Sequence, residues 1–215
     1  TRLMGALIMT HSDDNGLVLP PKLAPIQVAI VPICKNDEQM AELDAHIAPI
    51  IDALKAKGLT VKYDNRTEYK PGWKFNEWEM KGVPIRLEIG PRDIEANQAM
   101  ICRRDNLEKN AVSLDNLGET ICALLDTVQK DMLVKARERR DAKIVEANSL
   151  EEILKGVENK NFVKAGWCGC RECGEKVKEY AQATSRVMVD EEGVPETCAI
   201  CGKKAKHKVI FARAY

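Results

Sequence analysis

Several features that would narrow a function quickly are missing from this sequence. No apolar run approaches the roughly 20 residues needed to cross a bilayer. The apolar start, Arg2 to Met9, is too short for a signal peptide and has no cleavage site. Both absences point to the cytoplasm, where thiols stay reduced. Neither sign of charge is in excess, because 33 Lys plus Arg balance 33 Asp plus Glu, so any nucleic-acid contact must be local. Histidine is confined to His11, His46 and His207. No Ser/His/Asp triad and no Gly-rich phosphate loop can be assembled. Nothing repeats at a fixed period, and no segment is of low complexity. The first residue is Thr1 and not Met, and it falls inside an amphipathic pattern, so the expectation is a piece of a longer protein.

What is present describes a globular chain. Its 215 residues, 45% hydrophobic and 31% charged, suffice for one or two domains. Residues 1–11 suit a helix, with Leu3, Met4, Leu7, Ile8 and His11 at helical spacing. Three prolines in the six residues Pro20 to Pro25 make a stiff connector, which places a boundary at residue 25. Strands are expected at Ile26–Ile33, Leu59–Tyr63, Gln98–Arg103 and, more briefly, Ala111–Val112. A helix is expected over Glu38–Lys57, with Pro49 bending or dividing it. Ser113 is placed to cap a long helix running through Leu117, Ile121, Leu124, Val128 and Met132 into a charged connector. Strands alternating with helices argue an α/β fold with a small mixed sheet and flanking helices.

The stretch Pro71 to Asp93 stands out. Trp73, Phe75 and Trp78 lie on a short helix closed by Gly82. Helical spacing makes at least two of these aromatics core residues. A strand follows with Ile85, Leu87 and Ile89 on one face and Arg86 and Glu88 on the other. Such alternation predicts a half-buried strand with an open, charged face. That face suits a polar, planar partner, and equally an ordinary solvated sheet.

From Ser149 a second unit begins with a capping box, Ser149 and Glu152. A helix near Glu172–Ala183 and strands at Arg186–Val189 and Val209–Ala212 should follow, a small α+β unit. Cys168, Cys170 and Cys173 precede Cys198 and Cys201. Two close pairs separated by a loop put four thiolates on a tetrahedron around Zn²⁺. A redox use of C-x-x-C would need a βαβ context that is absent here. Spacing alone favours Cys170 with Cys173 as the near pair, and Cys168 with Cys173 is the alternative. Four thiolates leave no open position, so the zinc is structural. Cys34, Cys102 and Cys122 fall in apolar patterns and read as core.

Together these residues resemble the C-terminal part of a class II prolyl-tRNA synthetase of the archaeal and eukaryotic-like type. T-R-L-M-G-A-L-I-M-T-H-S-D-D-N-G is similar to class II motif 3, with Ser12 where the family commonly has Gly. G-W-K-F-N-E-W-E-M-K-G-V-P-I-R-L-E-I-G-P-R-D resembles the anticodon-binding domain. W-C-G-C-R-E-C, C-A-I-C-G and the final F-A-R-A-Y resemble the zinc-binding C-terminal domain. The resemblance implies an end of the catalytic domain at 1–25, an anticodon-binding domain at 26–134, and a connecting helix with the zinc domain at 135–215. It implies that Arg2 clamps an ATP phosphate, with Leu3 to Met9 a buried helix behind it. Glu79, Arg86, Asp93 and Lys109 would read the anticodon of tRNA(Pro), and Cys168, Cys173, Cys198 and Cys201 would hold zinc. Tyr215 would be the closing aromatic. The parent would be a cytoplasmic, homodimeric proline–tRNA ligase using ATP and Mg²⁺, with no membrane attachment. The alternative is a free-standing tRNA-binding zinc-ribbon module. Motifs 1 and 2 and the proline pocket are not in the sequence, so the isolated chain should show no proline-dependent ATP–pyrophosphate exchange. Exchange above a no-protein blank would contradict this.

Overall fold

The structure is a computed structural model that describes residues 1–189 and 193–213. It divides into two compact units, Thr1–Ala136 and Arg137–Tyr215.

In the first unit the chain runs α1 (Arg2–His11), β1 (Val28–Pro32), α2 (Asp37–Ala56), β2 (Val61–Tyr63), α3 (Pro71–Met80), β3 (Ile85–Ile89), α4 (Pro91–Glu95), β4 (Gln98–Arg103), β5 (Lys109–Ser113) and most of α5 (Leu117–Asp141), whose last five residues fall in the second. The five strands form one mixed sheet in the order β2-β1-β3-β4-β5. β1 pairs in parallel with β2 and β3, and the β3–β4 and β4–β5 pairs are antiparallel.

Both faces of the centre are covered, and the side chains show why. Val28 and Ile30 on β1 and Ile85, Leu87 and Ile89 on β3 meet Leu43, Ile47 and Leu54 of α2 and Ile121 and Leu125 of α5. The alternate residues Ala29 and Val31 face the other way, onto Trp78 of α3, with Phe75 at the edge. Covering both faces of parallel strands is the usual consequence of helical crossovers.

The charged face of β3 is therefore not open. Arg86 is 7% and Glu88 5% exposed, because α3 lies over the face that alternation alone left to water. Two of the three aromatics of α3 do belong to the core: Trp78 is buried and Phe75 packs beside it, while Trp73 stays exposed. Pro49 does not divide α2, which is one helix capped by the Asn36 side chain. Pro49 is exposed, so water can satisfy the carbonyl its missing N–H leaves unpaired. Ser113 ends β5 and accepts from the Asp115 N–H, and α5 starts at Leu117. α1 has no buried residue, and Leu3, Met4, Ile8 and Met9 are exposed, so the expected buried helix is not seen within this chain.

One buried carboxylate fixes α3. Asp64, just past β2, accepts from Trp78 Nε1 at 2.8 Å and from Arg66 Nε and Nη2 at 2.7 and 2.8 Å. Its own carbonyl oxygen accepts from Lys74 Nζ at 3.1 Å. Arg66 also pairs with Glu77 of the same helix. Burial alone would raise the Asp64 pKa, but the Arg66 and Trp78 bonds outweigh it and hold the carboxyl below its ordinary value. At the other end of α3, Arg104 Nε donates to the Glu79 carbonyl at 2.8 Å. The Arg104 guanidinium also holds Asp13, whose pKa its hydrogen bond lowers.

The second unit runs β6 (Ile144–Ala147), α6 (Leu150–Glu158), β7 (Phe162–Trp167), α7 (Arg171–Ala181), β8 (Ala183–Met188) and β9 (His207–Arg213). Its sheet has the order β6-β7-β9-β8, with β6–β7 parallel and the rest antiparallel. Ser149 caps α6 by accepting from the Glu152 N–H at 3.2 Å, and Glu152 accepts in return from the Asn148 N–H. Ile153 and Val157 of α6 and Val177 and Ala181 of α7 pack on Val163, Val209 and Phe211. Strands β6 and β7 were not expected from the sequence. Tyr215 lies outside the described residues.

Asp64→Asn should lower stability by about 2 kcal/mol at pH 7, less than for a fully buried pair because Arg66 is partly exposed. The folded carboxyl titrates below its unfolded value, so its contribution is complete above about pH 4 and is lost as pH falls through the folded value. Urea midpoints of wild type and variant should therefore separate at pH 7 and draw together as pH falls below the ordinary aspartate range. A gap independent of pH would contradict the assignment.

Candidate nucleic-acid interface and metal centre

Three of the four residues expected to read an anticodon come together around α3 and β3. Arg86 projects from β3 beneath α3. Its Nε and Nη2 donate to Glu88 Oε1 at 3.0 and 2.9 Å, and its Nη1 donates to the Phe75 carbonyl at 3.4 Å. Nη1 also lies 3.8 Å from Glu79 Oε2. Lys109, at the start of β5, reaches back to Glu88 at 2.9 Å. The Phe75 ring lies under both cations, 4.4 Å from the Arg86 guanidinium and 5.3 Å from Lys109 Nζ. Cys102 is the cross-strand neighbour of Arg86, and burial pushes its thiol pKa up, so it stays a neutral packing group.

The result is a four-charge chain, Glu79–Arg86–Glu88–Lys109, across the sheet. Burying Arg86 and Glu88 is tolerable only because each is paired. Its two ends are the accessible parts: Glu79 is partly buried and Lys109 exposed. An acceptor at one end and a donor at the other can address the polar edge of a planar base.

Asp93 is not part of this chain. It lies in the first turn of α4, where Oδ2 accepts from the Gly90 N–H at 2.8 Å in a capping arrangement. Arg2 is exposed at the first position of α1. Glu88 was legible only as a strand-face charge. Asp64 and Lys74 left no signal in the sequence, since their importance comes from burial beneath α3.

In the second unit, Cys168 and Cys170 lie between β7 and α7, and Cys173 is buried in the first turn of α7. Cys198 and Cys201 lie on a turn before β9, where the Gly202 N–H donates to the Cys198 carbonyl at 2.9 Å. Gly202 has φ +68°, a left-handed conformation that glycine adopts without strain. Gly166 brings the turn onto β7: its carbonyl accepts from the Ala199 N–H at 3.0 Å, and a Cβ there would lie 2.5 Å from the Thr197 oxygen.

The ligand atoms of Cys168, Cys173, Cys198 and Cys201 all lie within 4.8 Å of one another. A tetrahedral zinc with bonds near 2.3 Å needs sulfur–sulfur edges of about 3.8 Å. Cys168 Sγ lies 3.6 Å from Cys173 Sγ and 3.8 Å from Cys201 Sγ, so these residues fit the ion. Cys170 Sγ is 3.2 Å from Cys168 Sγ. Two ligands that close would force a sulfur–zinc–sulfur angle of about 90°, which a tetrahedral site does not favour. Burial would raise the Cys198 pKa, but the Ile200 and Cys201 backbone N–H groups bring it down to about 7. Donors aimed at a sulfur in this way favour its thiolate form.

Residues 27–124 match the family described as an anticodon binding domain, and residues 150–215 match the C-terminal domain of prolyl-tRNA synthetase. A proline–tRNA ligase of Porphyromonas gingivalis is 50% identical over 100% of this chain and 44% of its own length. One from Acetoanaerobium sticklandii is 52% identical, again over 100% of the chain and 44% of the relative. Prolyl-tRNA synthetase from Cryptosporidium parvum, crystallised with L-proline and AMP, superposes with a TM-score of 0.92 at 36% identity, over 100% of this chain and 46% of that one. The chain thus spans less than half the length of these relatives.

Native mass spectrometry of the purified protein should find one zinc per chain. Cys170→Ser should keep it, and Cys173→Ser should lose it. Loss of zinc in Cys170→Ser would move that residue into the ligand set.

Proposed function

The chain belongs to the prolyl-tRNA synthetase family as its C-terminal portion, and on that premise we propose that it serves the ATP-dependent attachment of proline to tRNA(Pro). The observation that carries this reading is the likeness of the whole chain to proline–tRNA ligases at about half identity. In the proposed reaction, a proline carboxylate attacks the α-phosphate of ATP to give prolyl-adenylate and pyrophosphate. The 3′-terminal ribose hydroxyl of the tRNA then attacks the prolyl carbonyl and releases AMP. Arg2 is proposed to hold an ATP phosphate, a role suited to a guanidinium fork, with Mg²⁺ sharing the charge. The parent is proposed to work as a cytoplasmic homodimer. Among the described residues no helix is long and apolar enough to cross a membrane.

The first unit would bind the anticodon. Unstacked loop bases expose their Watson–Crick edges. The Glu79 carboxylate suits the N1–H and N2 amino donors of a guanine, and Lys109 suits a carbonyl or phosphate oxygen. Arg86 would hold both carboxylates in place and offer a base only the Nη1 side. Asp93 enters through Oδ1, the oxygen its cap leaves over. The second unit would bind one zinc through Cys168, Cys173, Cys198 and Cys201. Held by four thiolates, the ion supplies folding free energy and no open coordination site.

In the full-length synthetase, Glu79→Gln or Lys109→Ala should raise KM for tRNA by about tenfold, the cost of one charge-assisted contact. Proline-dependent ATP–pyrophosphate exchange should change by less than about twofold. Arg86→Gln should also lower thermal stability, because it leaves Glu88 buried with only Lys109. Equal losses of exchange and charging in Glu79→Gln would contradict an anticodon role.

A further inference from the structure

α3 carries a second surface that the anticodon reading does not use. Successive residues on a helix are about 100° apart. Lys74 and Trp78 point at the sheet, Phe75 and Glu79 flank them on one side, and Trp73 lies on the other. There the loop after β2 folds back and stacks Tyr69 on Trp73, with centroids 4.0 Å apart and planes 13° apart. The Arg66 guanidinium sits beside both rings, 5.0 and 5.4 Å from their centroids. Asp64 and Glu77 occupy its Nε and Nη2, so it orders the stack and is not free to move onto a ligand. Trp73 is nonetheless 47% exposed.

Beside this stack a groove of about 330 Å³ opens outside the carboxyl ends of β1 and β2. Ligands of open α/β sheets bind in that position relative to the strands. Lys35 and Lys70 stand exposed on its walls, and Glu68 is its one acidic lining residue. Lys74 lines it from below, only 2% exposed, with one of its three donors spent on the Asp64 carbonyl. A buried ammonium with unspent donors, two exposed lysines and the Tyr69 ring, backed by Trp73, form a site for an anion attached to a planar ring.

We infer that this groove takes an unstacked ribonucleotide of the bound RNA. Its base extends the Tyr69–Trp73 stack, and its phosphate meets Lys35 and Lys70 above Lys74. Single-stranded RNA is held by this combination of stacking and backbone charge, with little dependence on base identity. The inference rests on the tRNA reading proposed above and adds a contact separate from the Arg86 chain.

The test uses the 215-residue chain and a fluorescein-labelled anticodon stem-loop RNA of a proline tRNA, followed by anisotropy. Trp73→Leu should weaken binding about tenfold or more, and Trp73→Phe, which keeps a ring, by less than about threefold. Lys70→Gln should reduce the slope of log K against log salt by about one. The RNA should quench tryptophan fluorescence of the wild type, and this quench should largely vanish in Trp73→Phe although that variant still binds. Wild-type affinity in Trp73→Leu, alongside weakened binding in Glu79→Gln, would overturn the groove and leave the anticodon reading standing. Unchanged quenching in Trp73→Phe would overturn it too. If the wild-type chain does not bind the stem-loop, the anticodon reading itself fails.

Discussion

The first unit depends on one buried carboxylate. Asp64 takes a hydrogen bond from the Trp78 indole and a two-pronged one from Arg66, while its backbone carbonyl takes Lys74. Three side chains from one short helix and its preceding loop are thereby tied to the end of one strand. Without that carboxylate, α3 would have a buried indole N–H to satisfy, at a cost of kcal/mol order. The helix is ten residues long and has no side-chain N-cap, so its own propensity would not hold it in place.

Fixing α3 has two chemical consequences. On one flank, Glu79 and Phe75 are set against Arg86, and the charge chain across β3 and β5 becomes possible. On the other, Trp73 is held flat against Tyr69. Arg104 secures the far end by holding the Glu79 carbonyl. A helix tied at both ends can present polar groups to RNA without the entropic cost of ordering them on binding.

How much of this could be read in the sequence varied with the kind of information. Buried β-branched runs such as Ile26 to Ile33 and the Ser149–Glu152 cap are local signals, and they gave elements close to those observed. The α/β class, the mixed sheet and the family followed from patterns along the chain. The openness of the Arg86 face did not, because strict alternation describes one strand and cannot say whether a helix from elsewhere lies over it. Strand β6 was hidden for a different reason: only Ala142 and Lys143 separate it from α5, with no Gly or Pro to mark the change. Helix spacing put at least two of Trp73, Phe75 and Trp78 in the core, but it could not show which, nor that Trp73 lies against Tyr69. For the cysteines, spacing allowed two ligand sets. The three-dimensional arrangement adds what spacing lacks: the sulfurs of Cys168, Cys173, Cys198 and Cys201 gather within 4.8 Å of one another, and Cys168 and Cys170, 3.2 Å apart, are too close to serve together in one tetrahedron.

The central claim is that α3 and the strands beneath it form the RNA-binding face of this chain. Hydrogen–deuterium exchange of the 215-residue chain, with and without the anticodon stem-loop of a proline tRNA, tests it most directly. The account predicts slowed exchange over residues 66–82 and 102–110, with α6 and α7 unchanged. Protection confined to residues 137–213, or none over 66–82 at saturating RNA, would contradict it.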